Sequence, residues 1–265
     1  MKPKKSSAGI TSLILVSFFI LLFSAGNLKA GQEYYALKIY KFKNQGQVER
    51  VEKFLKEACI PAMHKAGIAK VGVFKPIEGD TVAGLSVFVW YPLKSLQQYA
   101  GLDGLLEKDA QYKKAGADYL EADNKNAPYA RIETILLKAF PDMPHFGIPE
   151  HTTPPSQRIY ELRSYEGPTE KMFQRKMEMF NAGGEITLFG KLGFNAVFYA
   201  EVISGSTMPN LMYMTTFADM KAHDEHWDTF RGHPEWKALS AMEKYKNTVS
   251  RSVKYLLHPT DYSEL

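Results

Sequence analysis

The chain has 265 residues, with 33 Lys and Arg against 29 Asp and Glu and a single cysteine, Cys59. An intramolecular disulfide is therefore excluded, and stability has to come from packed cores. Four of the lysines fall in residues 1–30, which hold no acid, so the remainder balances at 29 basic and 29 acidic residues. Global charge thus calls for neither nucleic acid nor an anionic membrane as partner.

Residues 1–30 read as a secretory signal peptide. Lys2, Lys4 and Lys5 give a basic start, residues 10–23 carry no charge, and the small residues Ser24, Ala25, Gly26 and Ala30 offer exits after Gly26 or Ala30. The apolar run falls short of the roughly 20 residues that span a bilayer. The expectation is an exported protein, periplasmic or secreted, with no stable membrane span after cleavage; an uncleaved N-terminal membrane anchor is the alternative.

The rest is one unit written twice. Tyr35-Ala36-Leu37-Lys38-Ile39-Tyr40 corresponds to Tyr160-Glu161-Leu162-Arg163-Ser164-Tyr165 at an offset of 125. Lys65-Ala66-Gly67 corresponds to Lys191-Leu192-Gly193 at 126, as Gly79 does to Gly205, and residues 85–91 fall on 211–217 at the same offset. Matches in order at a near-constant offset indicate duplication. In the first copy, residues 35–40 alternate as a strand does. Residues 47–66 follow with Val48, Val51, Leu55, Ala58, Cys59 and Ala62 on one helical face, ended by Gly67. Within that face Cys59 reads as a small inert core residue. Residues 71–77 and 85–91 are β-rich and joined through Glu78-Gly79-Asp80, a hairpin signal. Pro92 is expected to open a helical region to about residue 120, and residues 131–140 form the last strand. Pro141, Pro144, Pro149, Pro154 and Pro155 make residues 141–157 an extended linker. The second copy repeats the order: strand 158–165, a helix opened by Pro168, strands 194–203 and 211–217, a helix from Asp219 and a strand over 252–257. Gly183-Gly184 reads as a kink in the first of these helices.

The order βαββαβ is the ferredoxin-like, split βαβ arrangement. Two such units (residues 31–140 and 158–265) are expected to cover each other sheet to sheet, as a pseudo-twofold α+β barrel with a ligand site between the sheets. Tyr160-Glu161-Leu162-Arg163-Ser164-Tyr165 and His233-Pro234-Glu235-Trp236 in the second copy resemble the NIPSNAP family, whose fold belongs to the dimeric α+β barrel group. The first copy has Ala36-Leu37-Lys38-Ile39 for Glu161-Leu162-Arg163-Ser164 and no His-Pro-Glu-Trp. The resemblance implies the fold and no agreed reaction; relatives in the wider group include cofactor-free monooxygenases, haem-degrading enzymes and small-molecule stress proteins.

Several constellations could carry chemistry. Asp219, His223 and His226 share a helical face and form a weak candidate metal site; exposed histidines on an amphipathic helix are the other reading. Arg231-Gly232-His233-Pro234-Glu235-Trp236 interrupts a helix. It would hold His233 as a base (His223 is the other candidate), with Arg231 and Trp236 as ligand contacts, or it would simply cap a kinked helix. Arg163 with Tyr165, and Lys38 with Tyr40, put a cation and a phenol on one face of each first strand; between the sheets they would favour a carboxylate or phenolate, and pointing elsewhere they are surface or salt-bridge residues. Phosphate-cradling loops, dinucleotide fingerprints and Cys-x-x-Cys pairs are absent from the sequence, and it calls for no cofactor. Three readings are open. One is a protein holding a small aromatic or apolar ligand, the second a cofactor-independent monooxygenase acting on an aromatic substrate, and the third an interaction module pairing through sheet edges, including as a homo-oligomer.

Overall fold

The computed structural model describes Met1, residues 31–79 and residues 84–265. The expected leader and the tip of the first hairpin lie outside the described residues. Eight strands form one closed antiparallel barrel: β1 (Tyr34–Lys41), β2 (Gly72–Pro76), β3 (Ser86–Leu93), β4 (Arg131–Ala139), β5 (Ile159–Glu166), β6 (Asn195–Ser204), β7 (Asn210–Phe217) and β8 (Arg251–Pro259). Their order around the barrel is β1-β3-β2-β8-β5-β7-β6-β4. The halves β2-β3-β1-β4 and β6-β7-β5-β8 share one order, and they close on each other through β4 with β6 and β2 with β8. A closed barrel has no free sheet edge, so pairing through edges has no strand to use among the described residues. The pairing refines the repeat: Lys38 faces Val89 while Arg163 faces Tyr213, which relates β3 to β7 by 124 rather than 126 residues.

Helices cover the outside of the barrel. In the first half these are α1 (Gln45–Phe54), a π turn (Leu55–Cys59), α2 (Ile60–Lys65), α3 (Leu96–Leu106) and α4 (Ala110–Leu120). In the second they are α5 (Glu170–Phe180), α6 (Glu185–Lys191), α7 (Met220–Gly232) and α8 (Pro234–Ala241). Side-chain caps start them: Asn44, Ser95, Asp109, Thr169 and Asp219 each accept a backbone N–H of the first turn. These caps correct three expectations. Pro92 lies inside β3, where the ladder to β2 has ended at Trp90 and a missing N–H is tolerated. The helical region expected to about residue 120 consists of two helices, divided at Asp109, whose carboxylate caps α4. Thr169, not Pro168, opens the helix of the second half.

The strand alternation decides which residues meet. Tyr35, Leu37 and Ile39 point into the barrel with Tyr160 and Leu162, against Phe74, Phe88, Trp90 and Phe198. Trp90 stacks on Phe198 at 5.7 Å, Tyr35 meets Trp90 at 5.1 Å, and Phe74 meets Tyr160 at 4.8 Å. Each such side chain contributes about 1.5–3 kcal/mol by leaving water. The space between the sheets is thus a packed aromatic core, and the expected ligand site there is corrected. The opposite strand faces, with Lys38 and Tyr40 in one half and Arg163 and Tyr165 in the other, look toward the helices. Residues 141–157, expected as a linker, lie against the barrel: Phe146 packs on Trp90, and Gly147 donates to the Val197 carbonyl at 2.8 Å.

Candidate functional site

Both halves place a cavity between the outer face of the sheet and the helices. In the second half it is small, about 150 Å³, and lined by Arg163, Tyr165, Lys176, Glu185, Trp227, Phe230, Arg231 and Trp236. Four of the residues expected as ligand contacts (Arg163, Tyr165, Arg231 and Trp236) are therefore brought together, though on the helix side of the sheet. Arg163 is heavily committed. Its Nε and Nη2 lie 2.9 and 2.8 Å from Glu161 Oε1, its Nη1 donates to Tyr165 Oη at 3.1 Å, and its guanidinium sits 3.7 Å over the Trp227 ring. Glu161, fully buried, also accepts from Trp227 Nε1 at 2.6 Å and faces His223 Nε2 at 3.4 Å. Burial pushes the Glu161 carboxyl up, but the His223 imidazole and the Arg163 charge more than offset this and hold it below the usual carboxylate range. Lys176 donates to Glu185 Oε2 at 2.9 Å, and both are almost completely buried. There burial wins: the Glu185 carboxyl is raised despite the ammonium beside it.

The sequence reading missed Glu161, Lys176, Glu185 and Trp227. Glu161 was within reach, since it is two residues from Arg163 on the same strand face. Lys176 and Glu185 were not, because they sit on separate helices. The chain breaks at residues 181–184, where Gly184 has a φ of 87° that favours glycine.

In the first half the cavity is about 500 Å³. Lys38, Tyr40, Phe54, Cys59, Tyr112 and Tyr119 form its wall, and Asp103, Glu107, Lys113 and Glu121 lie exposed at its rim. Tyr119 stacks on Phe54 at 3.7 Å. The π turn carries Cys59 to the cavity, and burial pushes its thiol up to about 11, leaving it neutral and unreactive at physiological pH. The Lys38 side chain, on a strand paired along its whole length, makes no hydrogen bond or ion pair with any described residue.

The remaining candidates have structural duties. His233 Nδ1 caps α8 by accepting from the Glu235 N–H at 3.3 Å, and His233 is not among the residues lining either cavity. Asp219 accepts from the Ala222 N–H at 2.7 Å, and His226 Nδ1 lies 2.7 Å from the Ala222 carbonyl. Asp219 caps α7, and His223 and His226 pack edge-on against Phe217; no group of three or more metal-ligating side chains gathers among the described residues. Nor does any described helix have the length and apolar content to cross a membrane.

The fold is that of a dimeric α+β barrel, closed here within a single chain. Residues 160–264, in the second half, match the NIPSNAP family model. No curated protein matches the sequence. Among solved structures, a protein from Fusobacterium nucleatum subsp. nucleatum ATCC 25586, provisionally named a monooxygenase, superposes with a TM-score of 0.57 at 8% identity, covering 86% of this chain and 93% of its own. Another provisionally named monooxygenase, from Lactobacillus acidophilus NCFM, gives 0.55 at 11% identity, with 86% and 94% covered. An anthrone oxidase-like protein gives 0.51 at 9% identity, with 86% and 92% covered. At these identities the likeness is one of fold.

Proposed function

We propose that this is an exported NIPSNAP-domain protein that binds a small aromatic or apolar molecule in the cavity of its first half. The observation that carries the reading is that cavity: about 500 Å³, walled by Tyr40, Phe54, Tyr112 and Tyr119 with one cation at its base. Its volume lies in the range of small-molecule sites, roughly 300–1,000 Å³, and its lining is the usual mixture of apolar surface and a few polar groups. Export is supported by the basic and apolar pattern of residues 1–30. The cofactor-independent monooxygenase reading draws on the names of the barrel neighbours. Of the two bases it expected, His233 caps α8 and His223 is buried against Glu161, and neither lines the larger cavity, which supports binding as the first reading.

Native mass spectrometry of the protein from its host's exported fraction tests this. A bound organic mass is expected on the wild type and lost in Ile132→Trp, which fills the cavity from β4. The same mass on both proteins would refute the assignment.

A further inference from the structure

The two halves differ most where their cavities lie, and the duplication lets them be compared position by position. On the first strands the offset is 125, so Lys38 stands for Arg163 and Ala36 for Glu161. The caps Asn44 and Thr169 keep that offset along α1 and α5, so the buried Val51 stands for the buried Lys176. Past the π turn the offset is 126: Gly67 and Gly193, both left-handed, end α2 and α6 with the same set of bonds. Counted back from that end, Cys59, the last residue of the π turn, falls on Glu185, and each lines the cavity of its half. At these four aligned positions the second half has two cations and two carboxylates, paired as Arg163 with Glu161 and Lys176 with Glu185. The first half keeps only Lys38 of the four, and its other charged lining residues, Asp103, Glu107, Lys113 and Glu121, sit at the exposed rim.

An ammonium partly withdrawn from water without a counter-charge is costly. The second half also shows what satisfies this strand face, namely a carboxylate beside an aromatic ring. We infer that the ligand of the first-half cavity is an aromatic monoanion whose own carboxylate pairs with Lys38, replacing the counter-ions that the second half carries as side chains. The inference rests on the binding reading above and names the chemical class it leaves open. The aromatic body would lie along Phe54, Tyr112 and Tyr119, which wall the cavity. The rim acids Asp103, Glu107 and Glu121 are exposed and screened by water. At Cys59, inside the cavity, the influence of Lys38 exceeds that of Asp103.

The test is calorimetric titration of the full chain with benzoate and 2-naphthoate against their carboxamides, which keep the shape and lose the charge. The acids are expected to bind at least about tenfold more tightly than the amides. Lys38→Met should bring acid and amide together, while Lys38→Arg keeps the preference. Cys59→Glu, which restores the second half's carboxylate, should abolish acid binding and spare the amide. Urea midpoints of all variants establish that each is folded. Equal binding of acid and amide to the wild type, blocked for both by Ile132→Trp, would overturn the anion inference and leave the binding reading standing. Binding that survives Ile132→Trp, or no binding of either probe, would overturn both.

Discussion

Removing the strand cation should have opposite consequences in the two halves. Arg163→Met takes two donors, at 2.9 and 2.8 Å, from a carboxylate with no solvent exposure. Breaking a buried pair by deleting one partner costs about 3–5 kcal/mol, because the remaining charge is stranded. Trp227 Nε1 still donates to Glu161 at 2.6 Å, which argues for the lower end. Lys38→Met strands nothing, since the Lys38 side chain pairs with no described residue, and it removes a half-buried charge from an aromatic wall. Its effect on the ligand-free protein should lie within about 0.5 kcal/mol of zero or be stabilising. At about 2–4 °C per kcal/mol for a protein of this size, Arg163→Met lowers Tm by roughly 6–20 °C and Lys38→Met leaves it within about 2 °C or raises it. Urea denaturation and calorimetry on ligand-free protein measure both. Equal losses for the two variants would refute the claim that the halves differ in charge compensation.

Three further outcomes follow from the same contacts. Lys176→Met and Glu185→Leu should each cost about 3–5 kcal/mol, whereas the double variant recovers most of the loss; additive single losses in urea would count against a coupled pair. Because the folded Glu161 carboxyl lies below its ordinary value, its contribution is complete above the usual carboxylate range and is lost as pH falls through the folded value. The urea midpoint of Glu161→Gln should accordingly fall less steeply with acidification than that of the wild type, and parallel curves would contradict this. Asp219→Ala should cost about 1 kcal/mol through the lost cap of α7, while His233→Ala should leave any bound-ligand mass unchanged; its disappearance would return His233 to the site.

Much of this was legible because duplication is written in the sequence and strand alternation is a strict period of two. The alternation puts Lys38 with Tyr40, and Arg163 with Tyr165, on one face of each strand, but it leaves the direction of that face open. Both faces of these strands are buried, Tyr35 and Leu37 on one and Ala36 and Tyr40 on the other, so hydrophobicity could not tell inside from outside. The interior went to the aromatic alternation Tyr35, Phe74, Phe88 and Trp90, and the polar alternation went to the helix side. The Lys176–Glu185 pair was hidden for another reason: a chain reversal at Gly184 defeats any helical spacing rule.

Closing the barrel within a single chain has one more consequence. In a symmetric dimer a substitution is made twice, and a residue that improves one cavity must be tolerated in its twin. Here the joined halves are released from that obligation. Val51 and Lys176, or Cys59 and Glu185, can be tuned separately, so that one half fills its helix-facing pocket with paired charges while the other lines a wider one with aromatic rings.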